Sequence, residues 1–551
     1  MPTIADIIRA RTVDRDRVAI RFEDESCTWD DYVRACAQRA AFLEDALHPD
    51  LPPHFGVLLD NTPEMVMWLG ATALAGAVCV GINPTRRGAE LARDITHTDC
   101  QLVITEGRHR HLLDGLDLGR VDGKVLDADT KEYADALAPF AHTPVPEHDV
   151  DANAPFMLLF TSGTSGAPKA CILSQGRLAR SSTLLTQSLA LGADDVVYCT
   201  MPLFHSNAVI TSFAPWLICG GTLVLRRRFS ASGFLPDVRK YRVTYFNYVG
   251  KPLSYILATP EQPDDADNTL TRVFGNEGAD LDIDRFAKRF GCTVGDGYGS
   301  TEGGANISRV PDMPKGSLGL GPEGTAILDP ETGEECPPAR FDAGGHLLNP
   351  DEAIGEIVNK NGAPLFEGYY KNDEADAQRV HDGVYWTGDL GYRDENGYFY
   401  FAGRDHEWLR VDGENFAAAP VERILARHPD VVLAAVYAVP DEEVGDQVMA
   451  AIELRPGTSF DAADFDGFLD EQPDLGTKWS PRYVRVVDAL PLTESQKIRK
   501  RELRHERWEV SDPVWWRPAK GEPLRPMGDD DRSDLRARFE ARGRVDQLER
   551  I

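Results

Sequence analysis

From about Asp195 onward the chain alternates short apolar runs with mixed ones. Residues 196–204 (VVYCTMPLF), 221–227 (GTLVLRR), 242–249 (RVTYFNYV) and 270–276 (LTRVFGN) read as strands. The stretches 231–241 (ASGFLPDVRKY) and 282–291 (DIDRFAKRFG) read as helices. Strands separated by helices pair in parallel, with helices on both faces of the sheet. The pattern therefore predicts an α/β protein whose large N-terminal domain, residues 1–403, is built of stacked α/β sheets. Open sheets of this kind place ligands at the carboxyl ends of their strands.

After GRDHEWLRVDGEN (403–415) the character changes. A short helix (419–429), two apolar runs (431–439 and 447–454), an acidic helix around Phe465 and a last strand (482–490) predict a compact α+β unit over 404–508. The remainder, 509–551, is rich in Pro, Asp and Arg, with DPVWWRP (512–518) as its apolar anchor. It reads as a C-terminal extension, drawn out over the surface or ending in a helix. Residues 65–82 (MVMWLGATALAGAVCVGI) carry no charge, but their glycines and small residues favour a buried helix running into a strand over a membrane span.

Composition narrows the classes. A chain of 551 residues exceeds the size of one growing core, and 42% hydrophobic with 27% charged residues is that of a soluble protein. The net charge of -30 argues against nucleic acid or an anionic membrane as a general partner, so a bound polyanion must be held locally. Nine cysteines without a CxxC pair suggest neither a disulfide framework nor a zinc site. A reducing cytoplasm fits best.

Against this background LLFTSGTSGAPKACIL (158–173) needs explaining. An apolar run gives way to Thr161, Ser162, Gly163, Thr164, Ser165 and Gly166, then to a single Lys169. Backbone amides and hydroxyls in such a turn converge on an anion and the lysine adds charge, which suits a polyphosphate; the order is not that of the common P-loop. DGYGSTEGG (296–304) also follows a strand-like run. Tyr298 offers a flat face to a nucleobase, Thr301 a hydroxyl, and Glu302 a hard oxygen of the kind magnesium accepts. Asp389 follows a strand and suits ribose hydroxyls, with Arg404 further on. Lys497 lies in LPLTESQKIRKREL near the end of the small unit. Singly, each segment also reads as a solvated loop.

Together the four motifs resemble those of the adenylate-forming superfamily of acyl-CoA synthetases, luciferases and peptide-synthetase adenylation domains. RRRFSASGFLPDVRKYRVTYFNYVGKPLSYIL, GNEGAD and the DPVWW...PLRPM tail look most like the very-long-chain synthetase and fatty acid transport protein branch. The resemblance implies ATP, Mg2+ and CoA as reactants and cofactor, and a mobile small domain. It assigns the β- and γ-phosphates to residues 161–166 with Lys169, and Mg2+ to Thr161 and Glu302. The nucleoside segment is Asp296, Gly297, Tyr298, Gly299 and Ser300, with Tyr298 stacking on adenine, while Thr301 joins Glu302 among the catalytic residues with its hydroxyl toward phosphate. Asp389 and Arg404 hold the ribose, while Lys497 bridges the attacking carboxylate and the α-phosphate. His205 matches a gating histidine between acyl tunnel and nucleotide. His406 takes the hinge position, and the loop around Gly413 approaches the pantetheine tunnel.

Two departures stand out. Histidine at 406 replaces the usual Asp or Lys. Gln496 stands where many relatives have glycine, and glutamine resists positive φ, so a different local backbone is expected. The reading is an ATP-dependent ligase joining a long-chain, very-long-chain or sterol side-chain acid to CoA. Its rivals are an acyl-AMP enzyme serving a carrier protein or oxygen, and a lipid-uptake protein with a relict site. Nucleic acid is not expected as a partner, membrane contact is at most peripheral, and a homodimer stays open.

Overall fold

The computed structural model describes residues 2–121, 123–161, 169–342, 347–404, 408–411, 414–442, 445–472, 475, 476, 478–493, 496–519 and 521–549. Two large sheets form the N-terminal body. The six-stranded one runs Val125–Asp127, Val103–Thr105, His54–Leu58, Val78–Gly81, Pro155–Thr161, Lys169–Ser174, parallel except for the last pair. Every residue of His54–Leu58 and of Val78–Gly81 is buried, as befits strands covered on both faces.

The second sheet contains fourteen strands. Its parallel part orders Thr293–Gly299, Arg272–Asn276, Tyr245–Val249, Val196–Cys199, Thr222–Leu225 and Val18–Phe22. An antiparallel part continues it through Tyr398–Arg404, Val384–Arg393, Gly355–Asn359 and Thr325–Leu328. The expected strands thus fall in the parallel half. The expected helices are Ala231–Tyr241, capped by the Ser230 hydroxyl, and Asp280–Phe290. One apolar cluster joins the helices Trp29–Ala46, Pro63–Ala75 and Gln175–Ser188 to strands of both sheets, with Trp29 stacked on Trp216 at 4.7 Å.

The uncharged stretch 65–82 is such a buried helix and strand. Pro63–Ala75 ends on Gly76 in the left-handed region and Val78–Gly81 follows. No described helix is long and apolar enough to cross a membrane.

In the C-terminal lobe a five-stranded sheet orders Val431–Pro440, Asp446–Leu454, Tyr483–Val487, Val514–Trp516 and Arg525–Pro526. Two of these strands lie beyond residue 508. The helix Asp529–Ala541 then buries Leu535 and Phe539 against Trp508 and Trp516, and both tryptophans stack on Tyr483. DPVWW is therefore not the tail's only apolar anchor: the helix Asp529–Ala541 also packs into the core of the small lobe.

Candidate active site

The strand Pro155–Thr161 delivers Thr161 to its carboxyl end, paired in register with Lys169 on the returning strand. Lys169 is buried, its ammonium 5.4 Å from the Tyr369 ring centre and 3.3 Å from Gln378 Oε1. Burial, and next the Arg379 guanidinium, push its pKa down. An ammonium held this way gains on meeting an anion. Ser162, Gly163, Thr164, Ser165 and Gly166 lie outside the described residues, as do His406 and Gly413 and the side chain of Arg404.

Glu302 is 6% exposed and accepts a hydrogen bond from the Tyr369 hydroxyl at 2.7 Å. Arg379 donates through Nε to the same hydroxyl at 3.2 Å and to the Thr387 carbonyl. Arg177, itself buried, donates to the Thr301 carbonyl, and Thr301 Oγ1 is 2.7 Å from Ser206 Oγ. Glu302, Thr301 and Lys169 are thus gathered at the ends of two sheets. A hard carboxylate and the Thr161 hydroxyl beside a buried ammonium form a donor set that fits a phosphate-bound Mg2+.

Tyr298 packs on the cluster of Ile307, Ile327, Ile357 and Phe399, and its hydroxyl donates to Asp389 Oδ2 at 2.7 Å. Burial, then the Asp389 charge, raise the Tyr298 pKa far above the ordinary range, so it remains a donor. Asp389 is buried; its backbone N–H donates to Thr387 Oγ1, and it pairs in register with Arg404. Asp296 accepts from the Tyr248 hydroxyl at 2.6 Å and from the Gly278 N–H at 2.9 Å. Burial lifts its pKa to about 7. The carbonyl of Gly297 is held by Asn276 Nδ2 at 2.6 Å. Ser300 touches Tyr385, while Gly299 stands at the end of its strand.

His205 follows Phe204, whose ring lies 4.4 Å from the imidazole, and its Nε2 is buried with no hydrogen-bond partner among the described residues. Burial, and then the charge of Lys497, lower its pKa to about 4, so the ring is neutral at physiological pH. Lys497 comes from the small lobe and donates to Glu277 Oε1 of the large lobe at 2.5 Å. Its neighbour Gln496 adopts φ 63°. The expectation of an altered backbone fails here: glutamine takes the conformation glycine would. The turn is closed by Gln496 N–H to the Thr493 carbonyl at 2.9 Å and Thr493 N–H to the Lys497 carbonyl at 2.7 Å. A Cβ on Gly250 (φ 70°) would lie 2.5 Å from the Gln496 carbonyl oxygen, so glycine there is what lets the lobes approach.

Tyr369, Arg379, Arg177 and Glu277 were not singled out by sequence. Glu277 lies within the GNEGAD segment; the others carry no local pattern.

A second group, Asp60, Glu106 and His109, brings three metal-type atoms within 4.8 Å of one another. Arg108 and Arg227 already supply positive charge there, at 2.5 Å from Asp60 and 2.6 Å from Glu106. This is an ion-pair network. Beside it a cavity of about 210 Å3 is lined by Asp60, Phe204, Arg227, Arg228 and Gln496, so both lobes contribute.

The AMP-binding enzyme family matches residues 9–370, and its C-terminal domain matches 420–497. A steroid-22-oyl-CoA synthetase of Rhodococcus jostii is 51% identical over 98% of both chains. A medium/long-chain-fatty-acid CoA ligase of Mycobacterium tuberculosis is 51% identical over 93% of this chain and 98% of its own. The human long-chain fatty acid transport protein 5 is more distant, 30% identical over 84% and 71%. In structure, an anthranilate CoA ligase in complex with anthranoyl-AMP superposes with a TM-score of 0.78 at 22% identity, covering 91% of this chain and 96% of that one.

Proposed function

The chain belongs to the AMP-binding enzyme family, and on that premise we propose that it is the acid–thiol ligase for a sterol side-chain acid, acting through an acyl adenylate. The observation that carries this reading is the likeness to a steroid-22-oyl-CoA synthetase, 51% identical along 98% of both chains.

Two steps compose the reaction. A substrate carboxylate oxygen attacks the α-phosphorus of ATP and pyrophosphate leaves. The CoA thiol, losing its proton, then attacks the acyl carbon and AMP leaves. The obstacle in the first step is repulsion between anions, so cations and oriented donors supply the catalysis. Lys169, with the hydroxyl of Thr161, grips the outer phosphates. Mg2+, when bound, would add charge at the phosphate oxygens, with Glu302 and Thr161 to hold it. Tyr369 and Arg379 keep the Glu302 carboxylate oriented. Asp389 receives the ribose, fixed by the Tyr298 hydroxyl, and the Tyr298 ring borders the adenine. Lys497 lies between the attacking carboxylate and the α-phosphate.

For the second step Lys497 must withdraw, and we infer a rotation of the small lobe about the region of His406. The lobe's core extends through the helix Asp529–Ala541, so 404–541 turns as one body. Arg227 and Arg228, lining the cavity between the lobes, offer two guanidinium groups to the phosphates of CoA. A neutral His205 beside that cavity can accept or yield a hydrogen bond without adding charge near the acyl carbon. The nine cysteines are all unpaired, which supports a reducing, cytoplasmic setting.

The test is a panel of acids, with a steroid-22-oate beside medium- and long-chain fatty acids, assayed for acyl-CoA formation. The steroid acid is expected to give the highest kcat/KM. A higher value for a fatty acid would move the substrate to the class named for the mycobacterial relative, and pyrophosphate release without any thioester would point to another acceptor.

A further inference from the structure

Two non-glycine residues in the left-handed region flank the contact between the lobes. Glu277, at φ 63°, begins the loop that follows the strand Arg272–Asn276, and Gln496, also at φ 63°, precedes Lys497. Such conformations are strained for a non-glycine residue and persist only where the surroundings dictate them. Around Glu277 they do. The Asn276 carbonyl accepts from the Gly250 N–H at 3.0 Å, and the Asn276 side chain is held by Asn207 at 3.1 Å and the Gly297 carbonyl at 2.6 Å. On its other side the Gly278 N–H is fixed on Asp296. Backbone clamped on both flanks fixes where the Glu277 side chain leaves the loop, within reach of the small lobe.

What it meets is the Lys497 ammonium, at 2.5 Å. That same ammonium depresses the His205 pKa, so it lies within electrostatic reach of the imidazole as well. Both partners of the ion pair are about half-exposed, 41% and 49%, so the contact is screened and exchangeable rather than a buried lock. Glu277 presents to Lys497 the same functional group as the substrate: a carboxylate.

We propose that Glu277 is a positioning residue for adenylation, docking the small-lobe lysine in the cleft and yielding it to the carboxylate of the incoming acid. This rests on the ligase reading above. By holding the ammonium close to its working position, Glu277 spares the first step part of the ordering of a long, flexible side chain. Because the contact is exchangeable, the substrate carboxylate can take the lysine over as it binds alongside ATP. In the rotated arrangement of the second step Lys497 is elsewhere, so Glu277 has no part in thioester formation.

The experiment uses the full chain, wild type, Glu277→Gln, Lys497→Ala and the double variant. Acyl-adenylate formation is followed in a single turnover with a steroid-22-oate and ATP, and thioester formation is started separately from preformed steroid-22-oyl adenylate and CoA. Glu277→Gln is expected to slow adenylation about fivefold, the scale of one half-exposed charged contact, and to leave thioester formation from the adenylate at the wild-type rate. Added to Lys497→Ala, it should slow adenylation no further. Equal slowing of both half-reactions, an unchanged or faster adenylation rate, or a full additive loss in the double variant would each overturn the proposal. Wild-type protein that forms no adenylate from any acid overturns the ligase reading itself, an outcome distinct from all of these.

Discussion

The two lobes pack together beside the lysine at Gly250, and Gly250→Ala probes that packing. An added Cβ would stand 2.5 Å from the Gln496 carbonyl oxygen and 3.2 Å from its carbon, whereas ordinary contact begins at 3.4 Å. Both atoms are backbone, so no side chain can swing aside. The turn bearing Gln496 and Lys497 must retreat by roughly 1 Å, a misplacement of the scale that costs about a hundredfold in a reaction governed by positioning. Alanine at φ 70° adds about 1 kcal/mol of local strain, well within the stability of a protein this size. Single-turnover pyrophosphate release with a saturating acid should therefore fall about a hundredfold, while thioester formation from preformed acyl adenylate, from which the proposed rotation withdraws the lysine, changes little. An adenylation rate within about threefold of wild type would refute the packing argument; so would an equal loss in both half-reactions.

Gln496→Gly should leave adenylation close to wild type, because relief of left-handed strain is offset by a looser unfolded chain, about 0.4–1 kcal/mol; a marked loss in the same single-turnover assay would mean the glutamine side chain itself is needed. Phe539→Ala empties a fully buried site beside Trp508 and should destabilise the small lobe by about 3–5 kcal/mol, read as a fall of roughly 10 °C in its melting temperature. A tail dispensable to the core would melt unchanged. Asp296 has its pKa raised to about 7 by burial, so the folded protein keeps a proton that the unfolded chain releases in the ordinary carboxylate range. Stability should fall as pH rises from about 4 to about 7, and Asp296→Asn should flatten that slope in urea titrations. The same slope in the variant would remove Asp296 as its source.

Periodicity made the parallel half of the large sheet legible. ASGFLPDVRKY became the helix Ala231–Tyr241, and RVTYFNYV contains the strand Tyr245–Val249, because strands buried on both faces leave continuous apolar runs. The antiparallel half was harder to foresee: pairings such as Leu320 with Tyr398 join distant segments and leave no local trace. The tail was under-read for a different reason. Leu535 and Phe539 stand four residues apart on one helical face, but acids and arginines surround them and hide the signal. At the proposed site, Glu302, Thr301, Tyr298 and Asp389 were singled out by residue type and motif order. Their supports were not, since Tyr369 is 67 residues from Glu302 and Glu277 is 220 from Lys497. Gln496 was misjudged because residue type argued against positive φ, while the turn hydrogen bonds and Gly250 impose it.

The most direct test of the central claim follows an oxygen atom. If the acid's carboxylate attacks the α-phosphorus of ATP with Lys497 between them, a steroid-22-oate labelled with 18O in its carboxylate must give AMP carrying one labelled oxygen once acyl-CoA has formed, and Lys497→Ala must nearly abolish that AMP. Label found in inorganic phosphate instead of AMP, or labelled AMP formed at the wild-type rate without the lysine, would contradict the account.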